Sequence, residues 1–391
     1  MEDTLAVKKH REWNGKIEIS PKAPVSTLEQ LSIAYTPGVA EACLAIKENK
    51  EESYNLTARN NMVAVITDGT AILGLGDIGP EAGMPVMEGK SALFKAYADV
   101  NAVPICLNTK DPEEIIKTIK YLEPSFGGIN LEDIAAPRCF EIETRLKEEL
   151  SIPVFHDDQH GTAVVVGAAL INALKIVKKD IKDIKVCING PGAAGTAIGK
   201  YLLKMGVADV VWVDEHGIVD RYRTYQNNNL AQLSQISNKE NLTGKLKEAI
   251  KGRDLFVGVS VGNVLSKELV KTMAKDAIVF ALANPVPEIS YQDAKEAGAR
   301  IVGTGSSKNP NQINNVLVFP GVFKGALEVR ASDINTEMMI AASYGIASTV
   351  KDEELHEEYI LPYAFNRQAH QNVIEYVKKA AIETKVNRIK G

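Results

Sequence analysis

The strand-like run KVCIN (185–189) leads directly into GPGAAG (Gly190 to Gly195) and then into the helical stretch TAIGKYLLKM, and no other junction restricts the fold as much. A glycine-rich turn between a buried strand and a helix cradles a pyrophosphate. Gly190 permits the tight turn, Gly192 lets backbone approach the phosphates, and Gly195 allows close helix packing; Ala193 and Ala194 complete the cofactor-binding turn, and the helix N-terminus faces the anion. Asp214 lies nineteen residues after Gly195, at the end of the next strand, where a carboxylate accepts from ribose hydroxyls and repels a 2′-phosphate. NAD is therefore expected over NADP, although Arg221 and Arg223 nearby leave NADP open. The runs IKVCI, DVVWV, DLFVGV and AIVFAL alternate with helical stretches, the pattern of a doubly wound parallel sheet covered on both faces.

Upstream, residues 1 to about 155 read as a separate α/β unit. Val63–Ile66 and Val103–Leu107 are expected strands. Asp111-Pro112-Glu113 opens a helix with Ile115, Ile116, Ile119 and Leu122 at helical spacing. Phe140–Leu150 forms a second helix, and Ile152–Phe155 a strand ending at His156. A helix begins near Gly161, runs to Val177 and is apolar on nearly every side, so it joins the two units from inside. The polar tract Gln226–Asn241 reads as a surface loop or short excursion. After about residue 330 the alternation stops, and helices near Thr336–Ser348 and Gln368–Arg388 are expected to return to the first unit. The fold class is thus α/β. It has an N-terminal metal and substrate domain (1–158), a Rossmann-type NAD domain (159–330) and C-terminal helices (331–391).

Hydrophobic content of 45% and charged content of 24% are globular averages, and a net charge of −5 gives no electrostatic case for nucleic acid or an anionic membrane. The apolar stretch Ala163–Leu174 is too short to span a bilayer and contains Asn172. MEDTLAVKKH lacks a secretory h-region, and Cys43, Cys106, Cys139 and Cys187 form no C-x-x-C pair. A cytoplasmic protein with reduced thiols is the expectation.

Two acidic clusters precede the nucleotide turn: Glu132-Asp133 in NLEDIA and Asp157-Asp158 in FHDDQHGTA. Gathered carboxylates suit a hard divalent cation, which takes oxygen ligands and keeps positions open for substrate or water. His156-x-x-x-His160 resembles a zincin motif, but that needs both histidines on one helix, and here the spacing falls in a turn. A cation beside a nicotinamide implies hydride chemistry on a substrate that chelates through oxygen.

The segments SIAYTPGVA (32–40), TDGTAILGLGDIG (67–79), MEGKSALFK (87–95), NLEDI, FHDDQHGTA, FALANP (280–285) and INNVLVFPG (313–321) together resemble the malic enzymes of the short bacterial type, over essentially the whole chain. That resemblance implies Mg²⁺ or Mn²⁺ on Glu132, Asp133 and Asp158, with Lys90 as proton acceptor and Tyr35 as proton donor. It places Asn284 at the nicotinamide ribose and substrate, and Asn315 at the malate carboxylate. A lysine acting as base near pH 7 needs a pKa lowered by roughly three units. The larger members carry an arginine where this chain has Ala71, so the cation, Asn315 or Lys308 is expected to hold the substrate carboxylate instead. The implied activity is NAD-linked oxidative decarboxylation of malate to pyruvate. An oxaloacetate decarboxylase, a malolactic-type enzyme and a non-catalytic NAD sensor are the competing readings. A homodimer is expected, in which Tyr35 or Lys90 could complete the partner's site, a self-contained site being the alternative.

Overall fold

Ten short strands, most of them buried and rich in apolar residues, form two sheets in the computed structural model, which describes residues 3–226 and 228–389. The strands are β1 Met62–Thr67, β2 Asn101–Cys106, β3 Gly128–Leu131, β4 Val154–His156, β5 Lys185–Asn189, β6 Asp209–Asp214, β7 Gly217–Ile218, β8 Leu255–Gly258, β9 Ile278–Ala281 and β10 Ile301–Thr304. The first sheet is all parallel, in the order β2-β1-β3-β4. The second runs β10-β9-β8-β5-β6-β7, parallel except for the short edge strand β7. From β5 the chain winds first toward β6 and β7 and then back through β8 to β10. This is the Rossmann order, with its ligand crevice between β5 and β8, where the winding reverses.

Helix Asp157–Val177 joins the sheets from the end of β4, four residues earlier than the start near Gly161 expected from sequence. Asp157 and Asp158 belong to its first turn, where carboxylates complement the free amides and the helix dipole. By length and composition this helix could cross a membrane, but 67% of its apolar window is buried inside the fold. It packs on β4, on helix Ala193–Met205, on helix Thr336–Ala347 and on the 3₁₀ turn Asn315–Leu317. Asn172, the polar residue in its apolar run, donates to the carbonyls of Ala347 and Ile360, each at 2.9 Å.

The chain meets the first sheet again at helix Phe319–Glu328. Phe319 and Phe323 stack edge-on against Phe94 at 4.8 and 5.4 Å between centroids, and Phe323 also meets Phe155. Helix Arg367–Glu383 covers this helix and touches helix Pro80–Ala98, with His370 stacked on Tyr97 at 4.4 Å. The Gln226–Asn241 tract differs from the loop expected from its polarity. Asn228–Ile236 is a helix, because Leu233 is fully buried and Leu230, one turn before it, packs against the same core.

Phe323 fills the space above Gly128, where even an added Cβ would come within 3.0 Å of its ring. Phe323→Ala should lower stability by about 3–5 kcal/mol, read from the urea midpoint of the metal-free protein.

Candidate active site

Parallel pairing decides where the acids go. Leu131 in β3 is in register with His156 in β4, so Glu132-Asp133 and Asp157-Asp158 both leave the sheet at the same carboxyl edge. Oxygen atoms of Glu132, Asp133 and Asp158 lie within 4.8 Å of one another, which brings together the three residues expected to hold a cation. Asp133 is turned into the cluster by a left-handed backbone (φ 53°), and its amide donates to Asp158 Oδ2 at 2.7 Å. Asp133 Oδ2 is buried with no hydrogen-bond partner among the described residues. Burial, together with the charges of Asp158 and Glu132, pushes the Asp133 carboxyl up to about 9. Burial pushes Glu132 up to about 7 against the pull of Lys90, with Asp158 repelling it further. Three oxygen donors converging this closely, one of them orphaned, fit a hard dication, whose charge removes the repulsion.

Lys90 comes from helix Pro80–Ala98 and is buried, as sequence alone gave no reason to expect. Its Nζ lies 2.5 Å from Asp157 Oδ2, 2.9 Å from Glu132 Oε1 and 4.0 Å above the ring of Phe319. Its pKa moves opposite to the fall required of a base. Burial lowers it, but the charges of Asp157 and Glu132 outweigh burial and hold the ammonium well above the ordinary lysine range.

Asp157 is the residue whose role the sequence reading missed. It is fully buried, and the same Oδ2 also accepts from Asn315 Nδ2 at 2.6 Å, so it links the lysine to the asparagine. Successive residues of a helix point about 100° apart. Once the helix starts at Asp157, adjacent acids serve different partners: Asp158 the carboxylate cluster, Asp157 the lysine. Gly161 makes this possible, since a Cβ there would stand 2.0 Å from Asp157 Oδ1. Glu143, also unforeseen, fastens the turn from below by accepting from the His156 amide (3.2 Å) and Gln159 (3.2 Å) and bonding His160 Nε2 (2.9 Å). The two histidines belong to different elements, strand and helix, and His160 is taken up by Glu143.

Asn284 follows β9 at the carboxyl edge of the second sheet and is exposed. The loop 68–79 bridges the two edges. The Ala71 amide donates to Asp133 O at 3.0 Å, and a Cβ on Gly74 would sit 3.2 Å from Asn284 O. Arg138 reaches the neighbourhood of Ala71 but is committed to Asp68 (3.0 Å) and Thr70 (3.1 Å). Lys308 stands exposed on the loop after β10, which passes Asn284 at Gly305. Tyr35 does not join the site: it closes the short helix Leu28–Ala34, and the residue is 68% exposed.

At the nucleotide turn Gly190 is left-handed (φ 105°), and a Cβ on Gly195 would lie 1.9 Å from Gly190 O, so both glycines are required by the turn itself. Gly192 has open space where its Cβ would be, leaving room for a phosphate against backbone amides. Asp214 ends β6, and its carboxylate is already engaged. Oδ1 accepts from the amides of His216 and Gly217, while Arg223 grips both oxygens at 3.0 and 2.7 Å. Arg221 is turned away toward Ser234 O. A large cleft of about 1520 Å³ opens elsewhere, between helix Arg138–Glu149 and helix Ala193–Met205. None of the clustered carboxylates Glu132, Asp133 and Asp158, nor Lys90, Asn284 or the turn glycines, lines it.

A dinucleotide fold whose crevice opens beside three convergent carboxylates and a buried lysine has the form of a dehydrogenase with donors suited to a divalent cation. Comparison with known proteins narrows that class. The family model "malic enzyme, N-terminal domain" matches residues 14–147, and "malic enzyme, NAD binding domain" matches residues 159–382. An NAD-dependent malic enzyme of Geobacillus stearothermophilus is 57% identical over 96% of this chain and 78% of its own length. A bifunctional malic/malolactic enzyme of Bacillus subtilis is 54% identical over 97% of this chain and 93% of its own. The crystal structure of the NAD-dependent malic enzyme of Thermotoga maritima matches with a TM-score of 0.93 at 51% identity, covering 96% of this chain and 99% of that one. The chain belongs to the malic enzyme family.

Cation binding requires ionised ligands, so it expels protons that burial and mutual repulsion hold on Glu132 and Asp133. Mn²⁺ affinity should therefore rise with pH through about 7 and level off above about 9. Titration calorimetry in two buffers of different ionisation enthalpy should show proton release that shrinks over the same interval.

Proposed function

We propose that this protein oxidises (S)-malate with NAD⁺ and decarboxylates the product to pyruvate and CO₂, in dependence on Mg²⁺ or Mn²⁺. The observation that carries this reading is the sharing of Lys90 between Glu132, one of three convergent carboxylates, and Asp157. When bound, the cation supplies a Lewis acid for the C2 oxygen, and NAD⁺ supplies the hydride acceptor. Glu132, Asp133 and Asp158 hold the cation, and the turn Gly190, Gly192, Ala193, Ala194 and Gly195, with Asp214, holds the dinucleotide.

Lys90 takes the C2 hydroxyl proton. It becomes a base only when positive charge arrives at Glu132, because repulsion then opposes the ammonium that the two carboxylates otherwise favour. Asn315 orients the substrate carboxylate while its amide stays anchored on Asp157, and Lys308 adds charge at the rim in place of the arginine absent at Ala71. Asn284 spans nicotinamide ribose and substrate. The proton delivered to C3 after CO₂ leaves is assigned to Tyr35 by the family resemblance alone, since within the single chain Tyr35 stands outside the site. Residues 1–158 supply the metal and proton-transfer groups, 159–330 the NAD site, and 331–391 the helices that brace them, in a cytoplasmic homodimer. The malolactic reading is favoured by one specific observation, the name of the Bacillus subtilis relative. It differs in product, lactate in place of pyruvate, with no net NADH.

With malate, NAD⁺ and Mn²⁺, NADH absorbance should grow in step with pyruvate. Lactate without NADH would replace this reading by the malolactic one, and turnover of oxaloacetate with no malate-dependent NADH would replace it by a lyase. Asp158→Asn keeps the shape but removes a ligand charge, so activity should fall at least about a hundredfold while NAD still binds.

Asp214→Ala removes the ribose acceptor and frees Arg223 for a 2′-phosphate. The NAD/NADP ratio of kcat/KM should drop by about tenfold or more, equivalent to ~1.4 kcal/mol.

A further inference from the structure

The cleft of about 1520 Å³ between helix Arg138–Glu149 and helix Ala193–Met205 lies apart from the groups that would carry out the chemistry. One wall is the outward face of the nucleotide-side helix, where Thr196, Ala197, Lys200 and Lys204 recur at three- and four-residue spacing. Phe140, Leu203, Val207, Ile236 and Met339 add an apolar lining. Ligand pockets commonly hold about 300–1,000 Å³ and combine apolar walls with a few placed polar groups. This one has the room and the lining for a small organic molecule. Its walls are already tied together. Lys204 Nζ donates to Thr336 Oγ1 at 2.9 Å, and Lys147 Nζ reaches Asp333 and the Ile334 carbonyl, both at 2.8 Å.

Charge decides which molecule fits. The acids of the lining have their charges met: Asp333 by Lys147, Glu143 by His160 and Glu141 by Arg145. Glu337 stands in the first turn of helix Thr336–Ala347, where the helix dipole favours a carboxylate. The lysines are not met in this way. Lys200 and Lys204 stand one turn apart on one face, where like charges repel. Neither forms an ion pair with a carboxylate among the described residues. Lys200 is half-buried, and its ammonium meets the Asn229 side-chain oxygen at 3.4 Å. Burial and the Lys204 charge hold it below the ordinary lysine range, with no acid acting against them. Lys239 adds a third ammonium, bonded at 2.6 Å to the Ala208 carbonyl. Ammonium groups short of counter-charge are stabilised by an anion. Lysine binds phosphate as a point charge, whereas two-point recognition of a carboxylate uses the arginine fork. Among the described residues no arginine lines the cleft.

We infer that this cleft binds a phosphate monoester with an apolar or aromatic body, the phosphate between Lys200 and Lys204 and the body along the apolar lining. A phosphate monoester carries close to two negative charges near pH 7, matching the two ammonium groups, where a single carboxylate carries one. Glu143 lines the same cleft, so the bound molecule lies one side chain away from the turn that carries Asp157 and Asp158.

Titration calorimetry on the full-length enzyme loaded with NADH, so that the glycine turn is occupied, tests this. The probes are phenyl phosphate, AMP, inorganic phosphate and benzoate. Phenyl phosphate should bind once per chain, and more weakly as salt is raised. Lys200→Gln/Lys204→Gln should weaken it by at least about tenfold, the equivalent of ~1.4 kcal/mol. Lys200→Gln alone should weaken it less, in the same direction. Lys351→Gln/Lys379→Gln, which removes two exposed lysines away from the cleft, should bind as the wild type does. AMP binding more tightly than phenyl phosphate identifies the body as a nucleoside, and AMP binding equally or less tightly identifies a smaller apolar group. Inorganic phosphate binding as tightly as phenyl phosphate overturns the organic ligand, and benzoate binding as tightly overturns the phosphate. No binding of phenyl phosphate, or equal binding to the Lys200→Gln/Lys204→Gln enzyme, overturns the site. An affinity that falls as NADH is raised puts the probe in the dinucleotide crevice and overturns it as well.

Discussion

A buried ammonium held between two carboxylates is the interaction around which the rest of this structure is arranged. Lys90 has almost no contact with solvent and is met by Asp157 on one side, Glu132 on another and the face of Phe319 on a third. Removing charges from water is expensive, and ion pairing offsets that cost only when geometry and further hydrogen bonds are good. Each partner here is itself restrained. Asn130 donates to Glu132 at 2.9 Å, and Asn315 donates to Asp157 at 2.6 Å. The same pairing leaves the lysine protonated and the carboxylates near Asp133 crowded, so the site is built for additional positive charge. Stability without a cation and the proposed proton transfer therefore pull in opposite directions at one lysine.

The dinucleotide unit was legible because its signals are local. A β-branched run, a glycine turn and a helix start follow one another without interruption between Lys185 and Met205, and no distant contact is needed to read them. The proposed cation ligands were half legible. Acids at 132–133 and 157–158 stand out, but their convergence depends on β3 and β4 being neighbours in register. Lys90 carried no signal of its own, and its importance comes from burial by residues as distant as Phe319. Asp157 was obscured by a misplaced helix start. With the helix opening near Gly161, both acids would have shared one turn and one role.

Two other differences have the same origin. The Asn228–Ile236 helix hides behind a polar sequence because a few leucines suffice to dock it. The arm before residue 50 looks like an apolar N-terminal segment of an ordinary domain, yet its apolar side chains remain outside. Sequence records which residues avoid water, and is silent on whether the surface that covers them belongs to the same chain. The pairing of Asp214 with Arg223 is equally invisible in the spacing of the motif. It converts what reads as a bare ribose acceptor into a neutralised pair with unused acceptor capacity on one oxygen.

Helix Asp157–Val177 begins with the acids of the site and is then buried along its length, against the nucleotide-side helix Ala193–Met205 and the C-terminal helix Thr336–Ala347. Packed interiors transmit displacement instead of absorbing it. Asp157 and Asp158 stand at one end of this helix, leaving β4 at the same sheet edge as Glu132 and Asp133. Its later turns lie against the helix that follows the glycine turn. One packed element thus spans from the clustered acids to the nucleotide-side layer, so a cavity opened anywhere along it would be felt at both.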